Sequence, residues 1–239
     1  MNLRSDWWKI LGVLLVSYTI VMGFLGEVPS LPILNESIRN LYFHVTMWMT
    51  MLVMLTVSLV YSIRYLSSLK LNDDVVAMSA AHVGIAVSVI GILTGMLWAR
   101  HTWGAYWVND PKLNGAAITL LAYLAYFVLR GAVVDEEKRA RISAVYNVFA
   151  YVLMILFIQI LPRLTDSLHP GNGGNPAFSS YDLDNRMRMV FYPAVIGWSL
   201  IGVWILTLKV RLYKLENHLN TLREINNEQF GRKTIKIKK

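Results

Sequence analysis

Six runs of this chain continue for at least 17 positions without a Lys, Arg, Asp or Glu: residues 10–26, 40–63, 75–99, 113–129, 142–162 and 189–208. A helix crossing a bilayer needs about 20 mostly apolar residues. The pattern therefore predicts an all-α integral membrane protein, a bundle of six transmembrane helices spanning about 7–26, 40–63, 75–99, 113–130, 142–162 and 189–210. The apolar positions Leu212, Leu215, Leu219, Leu222 and Ile225 recur at helical spacing after the last run. They predict that the last span continues as an amphipathic helix into a basic tail, residues 212–239.

Seven extramembrane segments alternate between two sides. The side holding the N-terminus, residues 64–76, residues 130–141 and the tail carries 17 Lys and Arg; the side holding 27–39, 100–112 and 163–188 carries 6. The positive-inside bias makes the first side cytoplasmic, so both termini are expected inside. Arg4 and Lys9 precede the first run as they would in a secretory signal, but the run is long enough to span and no small-residue cleavage pattern follows; it reads as a retained span. The tail's ending, Arg232 to Lys239, reads as a solvated, lipid-attracted segment, the sharper alternative being a handle for a cytoplasmic subunit.

Composition narrows the chemistry. Hydrophobic residues make up 55% and charged residues 16%, and mean hydropathy is +0.44, which excludes a soluble enzyme. The net charge of +8 belongs to membrane orientation, because no basic patch is interleaved with stacking aromatics as nucleic-acid binding requires. Zero cysteines exclude disulfides, thiolate metal sites, iron–sulfur clusters and a self-attached c-type haem. Any metal must be held by His, Met or oxygen.

Span parity puts three features on the outer face: His44 at the start of the second span, His169 in the loop 163–188, and the compact aromatic loop 100–114 with Trp103, Gly104, Tyr106, Trp107 and Asp110. Either histidine alone reads more readily as a hydrogen-bonding boundary residue than as a ligand, and the tryptophans alone as an interfacial aromatic belt. Together, two neutral imidazoles can fill both axial positions of a haem iron while a flat aromatic surface holds the macrocycle. Trp48 and Trp98 extend that surface, and Gly104 permits close backbone approach. An aromatic belt needs no acid in its midst, so Asp110 is read as ordering a histidine, a backbone nest or the loop. Arg100, Lys112, Arg163, Arg186 and Arg188 are candidates to pair with haem propionates. His101, beside the aromatic loop, is a third candidate imidazole ranked below the other two because exposed histidines are common at a span exit; His218 reads as solvated, and His82 as an interhelical hydrogen bond or, alternatively, a mark of a haem entry route.

The segment Trp103-Gly104-Ala105-Tyr106-Trp107-Val108-Asn109-Asp110-Pro111-Lys112-Leu113-Asn114 resembles the tryptophan-rich "WWD" signature of the haem-handling proteins of cytochrome c maturation. Thr94-Gly95-Met96-Leu97-Trp98-Ala99 resembles its lead-in, and Tyr42-Phe43-His44-Val45 and Ser167-Leu168-His169-Pro170-Gly171 resemble the family's two flanking external histidine sites. Six spans are similar to the smaller branch, the haem exporter protein C type (CcmC). The chain departs at Tyr106 and Asn109, where the signature carries tryptophans, and at Lys112, where an Arg is frequent.

The resemblance implies non-covalent haem b with His44 and His169 as axial ligands, held at the periplasmic side of a bacterial inner membrane. It implies delivery to a periplasmic haem chaperone, in concert with an ATP-binding cassette complex. This is transfer rather than turnover: the chain has no nucleotide loop and no nucleophile–base pair. The competing expectation is a haem–cytochrome c synthase acting directly on apocytochrome, since Asp110-Pro111-Lys112 is also similar to that branch.

Overall fold

The computed structural model describes residues 3–169 and 183–237, with side chains described for 5–169 and 183–227. The turn-rich run Pro170–Pro176 and the side chains of the basic ending lie outside the described residues. The described residues form an all-α bundle with six helices long and apolar enough to cross a membrane. They are α1 (Leu3–Leu25), α2 (Leu41–Ser68), α3 (Leu71–Trp103), α4 (Pro111–Ala132), α5 (Glu136–Leu164) and α6 (Asn185–Ile237).

Helix ends follow local chemistry. Asp110 caps α4, accepting from the amides of Lys112 and Leu113 with Pro111 in the first turn, and Asp135 caps α5 by accepting from the Lys138 amide. Both carboxylates satisfy amides that have no partner within the helix. Gly104 closes α3 with φ +82°, a left-handed conformation that costs a residue without Cβ little. Pro162, near the end of α5, brings no N–H to the helical ladder. The preceding turn, Ile155–Ile160, widens to π geometry, with the Leu161 amide donating to the Leu156 carbonyl. The last helix runs from span into tail without a break, as the helical spacing of Leu212 to Ile225 predicts, and α6 continues for 53 residues.

The central core joins α2, α3, α4 and α5 through Met51, Leu55, Ala81, Ile85, Tyr123, Tyr126, Ala150 and Met154. Lipid tails are as apolar as these side chains, so close backbone approach and buried polar contacts must hold the helices together. Asn147 of α5 donates to both Ser58 and Ser62 of α2, each at 2.8 Å. At the opposite end of the bundle from the aromatic loop, Arg130 of α4 forks onto Asp74 of α3 at 2.8 and 2.5 Å, with both side chains under 10% exposed. A second cluster at the aromatic-loop end packs Leu31, Ile38, Leu41 and Tyr42 against Leu183, Met187 and Phe191. It draws the segment between α1 and α2, with its 3-10 turn Asn35–Asn40, over the ends of α2 and α3.

Candidate functional site

At that end the bundle encloses a cavity of about 460 Å3 whose walls are chiefly apolar. Both His44 and His169 line it, although 125 positions separate them in sequence. Trp48, Trp98, Trp103 and Trp107 line it too, with Lys112 and Arg163 contributing cations. Its size lies within the range of sites for compact organic ligands.

His44 is held from one side by α3. Its Nδ1 lies 2.9 Å from the Gly91 carbonyl, which can only accept, so Nδ1 carries the proton and Nε2 keeps its lone pair. Trp98 and Trp48 meet the imidazole edge-on, with ring centroids 5.9 and 6.2 Å away. This seat exists because Gly95 has no side chain: a Cβ there would sit 2.6 Å from His44 Cε1. Gly91, one turn earlier, takes Trp48 in the same way at 3.1 Å. The pair forms a Gly-x-x-x-Gly step, a sequence signal for close helix approach that the reading of histidines and tryptophans passed over.

His169 is fixed by a carboxylate. Its Nδ1 donates to Asp110 Oδ1 at 2.9 Å, so Nε2 is again the nitrogen left for a further partner. Trp103 meets this ring edge-on at 4.9 Å. Asp110 is 1% exposed and saturated. Oδ1 also accepts from the Lys112 and Leu113 amides, while Oδ2 accepts from Ser167 Oγ at 2.9 Å and the Leu168 amide at 2.7 Å. Burial alone pushes this carboxyl up, but the hydrogen bonds from His169, the Leu168 amide and Ser167 outweigh it. The group is held well below the usual carboxylate range. One carboxylate therefore caps α4 and pins the His169 segment to it.

The remaining candidates divide. Gly104, Tyr106 and Arg100 build the loop and do not line the cavity: Arg100 donates to the Gly104 carbonyl and lies over the Tyr106 ring at 5.9 Å. Asn109, which replaces a signature tryptophan, accepts from Asn114 at 2.7 Å, and Asn114 accepts from Trp107 Nε1 at 3.3 Å. A polar relay thus braces Trp107 in place of aromatic stacking. Arg186 pairs with Glu27 and Arg188 with the Leu183 carbonyl, both away from the cavity. His101 and His218 are exposed. His82 stacks on Phe127 at 4.2 Å and contacts the Met78 carbonyl, also away from it. Gln159, in the π turn of α5, adds a polar group to the cavity wall that sequence spacing did not single out.

The donor set discriminates among ligands. Among the described residues no group of three or more His, Asp or Glu is disposed to hold a bare ion. Two imidazoles on an apolar, aromatic-walled cavity suit a metal that brings its own equatorial ligands.

Comparison with known proteins gives the family. The family model "Heme exporter protein C" matches residues 2–226. The "Heme exporter protein C" of Paracoccus denitrificans is 28% identical over 218 residues, covering 85% of this chain and 84% of that protein. The protein of the same name from Escherichia coli K12 is 24% identical over 216 residues, covering 88% and 82%. A shorter match, 30% over 88 residues, covers 37% of this chain and 28% of the "Cytochrome c biogenesis protein CcsA" of Prochlorococcus marinus.

Proposed function

Because the chain belongs to the haem exporter protein C family and so has a role in haem delivery for cytochrome c maturation, we propose that it holds haem b, as cargo, between His44 and His169 at the periplasmic face of a bacterial inner membrane. It then passes the haem to a periplasmic haem chaperone. The observation that carries this reading is the matched state of the two imidazoles: each has Nδ1 committed to an acceptor, and each belongs to the wall of one aromatic cavity. A bound haem supplies the iron that the two Nε2 atoms would ligate.

The chain's own residues do the rest. Asp110 orients His169, as carboxylates commonly orient metal-binding histidines. The Gly91 carbonyl and the Gly95 gap orient His44. The four tryptophans exclude water and offer flat surfaces, and Lys112 and Arg163 are the cations that pair with propionates. Release needs one axial ligand displaced. His169 is the ligand to yield, because its segment is tied to the bundle through Asp110, whereas His44 sits on a transmembrane helix. The Lys and Arg bias supports an inward position for both termini, with the ATP-binding cassette complex as the partner on that side.

The test is the visible absorption spectrum of protein purified from haem-replete cells, oxidised and reduced. The expected result is a low-spin six-coordinate haem that becomes altered or lost in both His44→Ala and His169→Ala. Parent spectra and parent transfer activity in both variants would sink the proposal. The short resemblance to a cytochrome c biogenesis protein favours one second reading, a synthase acting directly on apocytochrome. Copurification of apocytochrome rather than a haem chaperone would select it.

A further inference from the structure

The haem-handling reading gives no residue at the far end of the molecule a task. At about 1.5 Å per residue the 53 residues of α6 extend about 80 Å, against a hydrocarbon core of about 30 Å. The apolar run ends at Leu208 and is followed by Lys209, Arg211 and Lys214. Residues 211–237 therefore reach about 40 Å beyond the core as one unbroken helix.

One face of α6 packs into the bundle: Leu206, Val203 and Val210 meet Met54, Ala80 and Val83. A different face stays open along its length. Ile205, Leu208, Leu212, Leu215, Leu219 and Leu222 are each between 42% and 55% exposed. Their spacing alternates three and four, the seam of a two-stranded coiled coil, with Ile205, Leu212 and Leu219 at a and Leu208, Leu215 and Leu222 at d. Ile205 and Leu208 lie within the apolar run, where an exposed aliphatic side chain meets lipid and is ordinary. Leu212, Leu215, Leu219 and Leu222 stand outside that run, where it is not.

We propose that this stripe is the seam of a parallel homodimer, so that the occupant of the open face is α6 of a second copy of this chain. Three features choose that occupant. Two copies inserted the same way in one membrane present their tails in parallel. The next a position is Asn226, a residue that at a single a position favours two strands in one register. In a parallel pair, Arg211 at g faces Glu216 at e of the partner helix, and the reciprocal contact repeats it. The following g–e′ pair, His218 with Arg223, adds no attraction, so pairing strength is concentrated beside the membrane. The seam lies at the end of the molecule remote from the cavity and leaves the haem-binding residues uncovered.

The chain contains no cysteine, which makes the test clean. Leu215→Cys and Leu222→Cys are introduced singly into the full chain in native membranes and treated with a short bismaleimide. Asn217→Cys, on the opposite face of the tail, is the control. The expected result is a band at twice the 27.2 kDa of the chain for the two seam variants and little for the control. Glu216→Arg should cut the seam cross-link several-fold, and adding Arg211→Glu should restore it. The haem spectrum should be unaltered throughout, showing that the variants fold. Seam variants with a parental haem spectrum that stay at monomer mass, or link only to proteins of other masses, would overturn the homodimer. So would a control that links as well as the seam. A tail lying on the headgroups, or docked on a different subunit, gives those patterns.

Discussion

Replacing Asp110 by Asn separates the two tasks of that side chain. Asn and Asp cap helices about equally well, so the start of α4 should survive. The clamp on the His169 segment should not. The carboxylate takes hydrogen bonds on both oxygens: the Lys112 and Leu113 amides and His169 on Oδ1, Ser167 and the Leu168 amide on Oδ2. An amide retains only one acceptor oxygen. If that oxygen serves the cap and His169, an NH2 faces the Leu168 N–H, which donated across 2.7 Å. If it turns to Leu168, His169 loses its acceptor. Either way a buried donor is left unmatched, at about 1–3 kcal/mol. Loss of such an orienting carboxylate typically weakens metal affinity about 10- to 100-fold, or about 1.4–2.8 kcal/mol. Haem titration of the detergent-solubilised protein, followed in the visible spectrum, should show a Kd raised by that factor. Asp110→Ala should add roughly 1 kcal/mol of lost capping to the thermal stability deficit. An Asp110→Asn variant binding haem within a factor of two of the parent would refute the clamp.

Three further outcomes follow from the same geometry. Gly95→Ala puts a methyl 2.6 Å from His44 Cε1, so it should remove or replace one axial ligand in the haem spectrum. The overpacking should cost about 1–3 kcal/mol of stability; an unaltered spectrum would mean that His44 is not seated against α3. Arg130→Met alone strands the buried Asp74 carboxylate and should destabilise by about 3–5 kcal/mol, whereas Arg130→Met with Asp74→Leu should recover most of it, as read by thermal unfolding in detergent. Because the folded Asp110 carboxyl is held below its unfolded value of about 4, its contribution is fully present above that pH and is lost as pH falls toward the folded value. The melting difference between parent and Asp110→Asn should therefore be flat from pH 5 to 8 and shrink in acid; a difference persisting unchanged at pH 2 would contradict this.

Much of the molecule is legible without coordinates. The bilayer is an unforgiving solvent for backbone and charge, so six charge-free runs are enough to determine six helices. Span parity then brings His44, His169 and the tryptophan loop to one end, because alternate connections share a side. What parity leaves undecided is which residues of that end share a wall. Tyr106 and Arg100 sit in the aromatic loop beside Trp103 and Trp107, yet only the two tryptophans line the cavity, since Gly104 ends α3 and redirects the chain.

The tertiary structure alone decided the supports. Asp110 reads in sequence as ordering a histidine, a backbone nest or the loop. It becomes a shared anchor only when α4 and the segment after α5 converge 57 to 59 positions apart. Gly91 and Gly95 gain their role only when α2 lays an imidazole and an indole into the space they leave. The reason is physical. Hydropathy is a property of each residue against its solvent and sums along the chain, so the sequence determines spans. A hydrogen bond or a missing Cβ has meaning only against a particular neighbour, and for His44 and His169 those neighbours come from elements that only packing brings together.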